Sequence, residues 1–169
     1  MRFARRGLPL KVGGTYIEDN QRGGVRRMVF WILAIMVVAV LAYIRLAPSD
    51  LARWHVQASG SDIGDHPRAD GRVWRQEIVG NGRDQLRDLD RIILDTPRTT
   101  RLTGSVDAGQ VTYVTRSAVM GFPDYTTVGV YGDNPRYLEI YGRLRFGRSD
   151  LGVNAKRIEG WLAAFEAGG

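Results

Sequence analysis

The residues best equipped for chemistry sit close together near the C-terminus, where Arg143, Arg145 and Arg148 lead into Ser149, Asp150 and Asn154. Arginine is always charged, and its planar fork of donors matches phosphate and carboxylate groups. Ser, Asp and Asn ahead of a helix accept its uncovered backbone N–H groups, and those same groups can bind an anion. Gly147 and Gly152 permit backbone turns closed to other residues. The string therefore supports two uses. One is a rigid strand-to-helix corner in which Asp150 accepts from the helix start or pairs with Arg145 or Arg148. The other is a site for a small anion or lipid headgroup, with Arg143, Arg145 and Arg148 supplying guanidinium groups.

Catalytic constellations are poorly represented elsewhere. The two histidines, His55 and His66, fall in a Pro-, Gly- and Ser-rich stretch, so a metal site or a Ser-His-Asp triad would rest on irregular chain. Asp62/Asp65, Asp88/Asp90 and Asp124 have no spacing that separates an acid from a base. Gly80-Asn81-Gly82 lacks the longer glycine-rich loop and the lysine of a phosphate-cradling motif. With no cysteine, disulfides and thiolate metal sites are unavailable. The expectation is a protein without enzymatic activity, metal or cofactor.

The elements that carry these residues begin with an anchor. Seventeen residues, Met28 to Ile44, contain no charge, and Arg26 and Arg27 precede them. At ~1.5 Å per residue the run approaches the ~30 Å bilayer core, and Leu46 and Ala47 extend it if Arg45 snorkels. This predicts one transmembrane helix over 28–46, with Met28, Phe30, Trp31, Ile32, Leu41 and Ile44 among its lipid-facing residues. Val40 and Ala42 would also suit signal cleavage after Ala42, but the run is longer than the usual ~7–15 apolar residues of a signal peptide. Residues 1–27 form a basic, Gly-rich tail without helical periodicity, and Met28 is an alternative start.

Charge agrees with an anchor. Residues 1–46 hold eight basic and two acidic groups, whereas 47–169 hold sixteen of each, so the net +6 belongs to the tail. Such asymmetry argues for membrane topology and against nucleic-acid binding. The positive-inside rule then places the N-terminus in the cytoplasm and the C-terminal domain in the periplasm of a bacterial inner membrane.

Residues 47–70, rich in Pro, Gly, Ser and Asp, read as a membrane-proximal linker. Trp54 within it suits either the bilayer interface or a tether to the domain. From 71 to 167 the pattern is that of an α+β domain. Strands are expected over 72–79, 99–106, 110–120, 125–131 and 136–146. Helices are expected over 83–95 and 154–167, the latter with Ile158, Trp161, Leu162 and Phe165 as one stripe. In the last strand, Leu138, Ile140, Leu144 and Phe146 share one face, and Tyr137, Glu139, Tyr141, Arg143 and Arg145 the other. Helices on the apolar side of an antiparallel sheet give a two-layer domain, and the opposite Tyr/Arg face has the composition of an interface.

The string Arg145-Phe146-Gly147-Arg148-Ser149-Asp150-Leu151-Gly152-Val153-Asn154, followed by basic residues in the helix, resembles the closing signature of DUF1499, a domain family of unknown function common in bacteria. Pro97-Arg98 and Phe122-Pro123-Asp124 extend the resemblance over roughly 83–166. The chain departs from the family pattern where Tyr125 follows Asp124 in place of a second aspartate. Gly142 and Leu144 replace serines, and no Pro-Asn-Cys stands near the domain start. The resemblance implies a fold and an envelope location but no reaction.

The functional expectation is an accessory module that contacts the bilayer through one span and docks on a membrane protein complex through its Tyr/Arg face, with Tyr137 and Tyr141 among the contacts. The alternative is the anion or lipid-headgroup site at the arginine-rich corner, with a hydrolytic enzyme as a remote third.

Overall fold

The structure, a computed structural model, describes residues 15–168, with side chains from residue 23 onward. The first half of the basic tail thus lies outside the described residues, and its second half joins the apolar run in one helix, α1 (Thr15–Leu46). Residues Gly23–Leu46 of α1 include an 18-residue window with a mean hydropathy of 2.5 and are long and apolar enough to cross a membrane. Met28, Phe30, Trp31 and Ile32 are all at least half exposed, as side chains meant for lipid would be.

A second compact unit begins at Leu41, so the end of α1 belongs to the domain. Leu41 is half-buried and Ile44 is only 6% exposed. Ile44 is therefore a core residue and not a lipid contact, which corrects its assignment to the anchor. Its neighbour Tyr43 meets Phe146 edge-on at 6.3 Å, and Phe146 meets Phe122 in the same way at 5.9 Å.

The domain is a six-stranded antiparallel sheet with two long helices on one face. The strands are β1 (Gly64–Arg68), β2 (Gly71–Glu77), β3 (Thr99–Ser105), β4 (Gln110–Arg116), β5 (Pro123–Tyr131) and β6 (Tyr137–Leu144). Their spatial order is β1-β2-β6-β5-β4-β3. After the short α2 (Leu51–Trp54) come α3 (Arg83–Leu94) and α4 (Val153–Ala167). Leu86, Leu89 and Ile93 of α3 and Ile158 and Trp161 of α4 pack on Val111, Tyr113, Val128, Leu138 and Ile140 of the sheet. The alternation in β5 and β6 thus delivers the expected apolar face.

Residues 47–70 are not a loose linker. Their last part is strand β1, which pairs with β2 along its whole length. The remainder, 47–63, is a strap across the sheet face opposite the helices. Trp54 is buried there with Val114 and Tyr125, the tether alternative of the two open to it.

The strap lies close enough that Gly104, at φ +83°, has no room for a side chain. A Cβ there would stand 2.2 Å from the Gln110 carbonyl oxygen and 2.8 Å from His55 Cε1. Gly104→Ala combines left-handed strain with a backbone collision. It should destabilise the domain by about 2 kcal/mol or more, read as a lowered denaturant midpoint.

Candidate functional site

The Tyr/Arg face is fully assembled by β6 and its neighbours, but it is covered by its own chain. An irregular strap has no strand ladder for its carbonyl groups, and burial makes each unpaired one costly. Arginines from the sheet meet that need. Arg143 Nη2 donates to the Trp54 carbonyl at 2.7 Å and to Thr127 Oγ1 at 2.7 Å, while Thr127 Oγ1 also donates to the Trp54 carbonyl at 3.0 Å. The Trp54 ring stacks on Tyr125, with centroids 4.0 Å apart and planes at 13°. On the other side of Arg143, the Tyr141 ring lies 4.1 Å from its guanidinium carbon.

Further along, Gln57 Nε2 donates to the Tyr137 hydroxyl at 2.7 Å, and His55 Nδ1 stands 2.9 Å from Thr112 Oγ1. Glu139 is wholly buried. One of its oxygens accepts from Ala58 N at 2.9 Å and the other from Arg75 Nε at 2.7 Å. Arg75 in turn reaches the carbonyls of Ala58, Ser59 and Asp62. Burial pushes the Glu139 carboxyl above its ordinary value against the pull of Ala58 N–H and Arg75, and it lowers the Arg143 guanidinium below its own. Arg145 completes the seam by donating to the carbonyls of Ala47 (3.2 Å) and Pro48 (3.0 Å) and to the Tyr125 hydroxyl (2.9 Å).

The corner after β6 is built differently. Asp150 Oδ1 accepts from Gly152 N and Oδ2 from Asn154 N, both at 2.9 Å, while Ser149 Oγ accepts from Leu151 N at 3.2 Å. The carboxylate thereby caps the start of α4 from two residues before Gly152. Buried Asn154 accepts from Arg157 Nη1 at 2.8 Å, and Arg157 Nη2 donates to Asp124 Oδ2 at 3.0 Å. Burial holds the Asp124 carboxyl above its usual value, partly offset by Arg157. Gly142 on β6 lets this helix start close in, since a Cβ there would meet Ile158 Cδ1 at 3.0 Å.

The sequence-predicted residues therefore divide. Ser149, Asp150 and Asn154 lock the corner. Arg143 and Arg145 are turned to the strap, leaving Arg148 exposed alone of the three, so the expected cluster of guanidinium groups at the corner does not form. Tyr137 is buried and Tyr141 half-buried, so the face expected to dock a partner is an intramolecular seam. Sequence reasoning passed over Gln57, Ala58, Arg75 and Glu139 as a unit. The one available signal was a glutamate at the centre of the most legible strand, which needs a cation once covered.

Residues 65–165 match the family described as Protein of unknown function (DUF1499), more than half of the chain, which therefore belongs to that family. No curated protein matches the chain.

Trp54→Ala removes the stacked ring that pins the strap and should cost about 3–5 kcal/mol. Limited proteolysis should then cut within 55–63, where the wild type resists. Asp150→Ala removes a double cap and should cost about 1–2 kcal/mol, whereas Arg148→Ala should stay within about 0.5 kcal/mol of wild type in thermal melts.

Proposed function

We propose that this chain is a single-span protein of a bacterial inner membrane, its N-terminus cytoplasmic and its domain periplasmic. In this reading it is a non-enzymatic accessory module that docks on a membrane protein complex. The uncovered apolar side chains of Gly23–Leu46 and the excess of basic residues before them support the span and its orientation. Pairing of Glu139, Arg75 and Arg143 with strap atoms supports a structural use for the buried charges.

The docking surface moves from the strap face to the end of the domain next to the span. The observation that carries this is at Arg45, the first charge after the apolar run, which donates to the Val119 carbonyl at 3.2 Å. Val119 is 82% exposed and Met120 44% exposed, so the β4–β5 loop presents two bare apolar side chains at the level where the span ends. A membrane partner would cover them beside the bilayer.

Mild-detergent extraction with size separation should show the wild type in an assembly of fixed stoichiometry. Val119→Asp with Met120→Asp should return it to the size of the isolated chain with its melting temperature unchanged. A wild type that migrates alone, or a double variant that stays assembled, refutes docking at this loop.

A further inference from the structure

Among the buried and half-buried arginines of the domain, Arg72 pairs with Asp65 and Glu159, Arg75 with Glu139 and Arg157 with Asp124, while Arg143 and Arg145 are held by strap carbonyls. At the end of the domain that carries the Val119 loop, Arg45 and Arg98 are exposed and Arg116 beside them is half-buried. A cleft of about 520 Å³ opens there, lined by Arg45, Arg98 and Arg116 together with Thr100 and Ser117. None of the three arginines forms an ion pair among the described residues.

Each is instead steered by one bond to a backbone carbonyl. Arg45 Nη2 donates to Val119, Arg98 Nε to Arg116 at 3.1 Å, and Arg116 Nη1 to Gly121 at 3.1 Å. A guanidinium has five N–H donors, so most of the donors remain for a ligand. Three like charges around one cleft repel, and an anion between them reverses that term. Arg98 also holds a left-handed backbone, φ +62°, a conformation unfavourable for a side-chain residue. Its backbone is fixed there by Arg116 N donating to its carbonyl at 3.0 Å.

We propose that the cleft bounded by Arg45, Arg98 and Arg116 binds a phosphate group. Guanidinium forks match phosphate oxygens in geometry as well as charge. Two sources share this chemistry, the phosphodiester of an anionic lipid headgroup and a free phosphate. The lipid source rests on the reading above that Arg45 lies at the bilayer surface; the site itself does not.

The test uses the full-length protein in dodecyl maltoside. Native mass spectrometry reads retained phosphatidylglycerol, and calorimetry reads binding of inorganic phosphate. Arg98→Gly removes one fork and relieves the left-handed strain. It should weaken binding about tenfold or more while the melting temperature holds or rises. Thr100→Glu, at an exposed position, sets a carboxylate into the cleft and should do the same. Arg148→Gln, outside the cleft, should leave binding as in wild type. Retained lipid that both cleft variants lose assigns a headgroup; phosphate binding without retained lipid assigns a soluble anion. A wild type that binds neither, or cleft variants that bind as well as wild type, overturns the proposal. Because no readout involves a partner, a chain that migrates alone yet loses phosphate with Arg98→Gly refutes docking and keeps the cleft.

Discussion

Irregular backbone laid against a sheet cannot complete a ladder, so its carbonyl groups must find donors from side chains. In this domain the requirement falls on Arg75, Arg143 and Arg145, which between them contact carbonyls of residues 47, 48, 54, 58, 59 and 62. Only arginine has enough donors in a fixed plane to hold several carbonyls at once. The charges so buried then need an answer, and Glu139 supplies it between Arg75 and the Ala58 N–H. Buried ion pairs are weak sources of net stability but costly to break singly. They fix where the strap lies more than they add to how tightly it is held.

The apolar half of the domain was legible because its signals repeat. Leu86, Leu89 and Ile93 recur at helical spacing, Leu138 and Ile140 at strand spacing, and each element was found within a few residues of its bounds. The strap was not legible, since one tryptophan amid Pro, Gly and Ser has no period. β1 was hidden by its composition: Gly64-Asp-His-Pro-Arg68 contains no β-branched residue, and its strand state comes from pairing with β2. As an edge strand it also tolerates Pro67.

The same limit explains the fate of the arginines. Sequence proximity grouped Arg143, Arg145 and Arg148, but strand alternation keeps Arg143 and Arg145 on the strap face while the corner leaves Arg148 exposed. Arg45, Arg98 and Arg116 are far apart in sequence and come together through β3–β4 pairing and the β4–β5 loop. A charge cluster of that kind leaves no local trace. In the corner, by contrast, Ser149, Asp150 and Asn154 act within a few residues of one another, so their capping role could be read directly.

The strap's position has a consequence for the order of events during synthesis. Ala58 is made 81 residues before Glu139, and Trp54 89 residues before Arg143. The contacts of β5 and β6 with the strap are therefore among the longest loops the chain closes, and such closures are the slow steps of folding. Trp54 and Ala58, made early, therefore settle late. Until β6 exists, residues 47–58 lack the Arg143, Arg145 and Glu139 contacts that hold them, and completion of the final strand turns the segment into a wall of the domain.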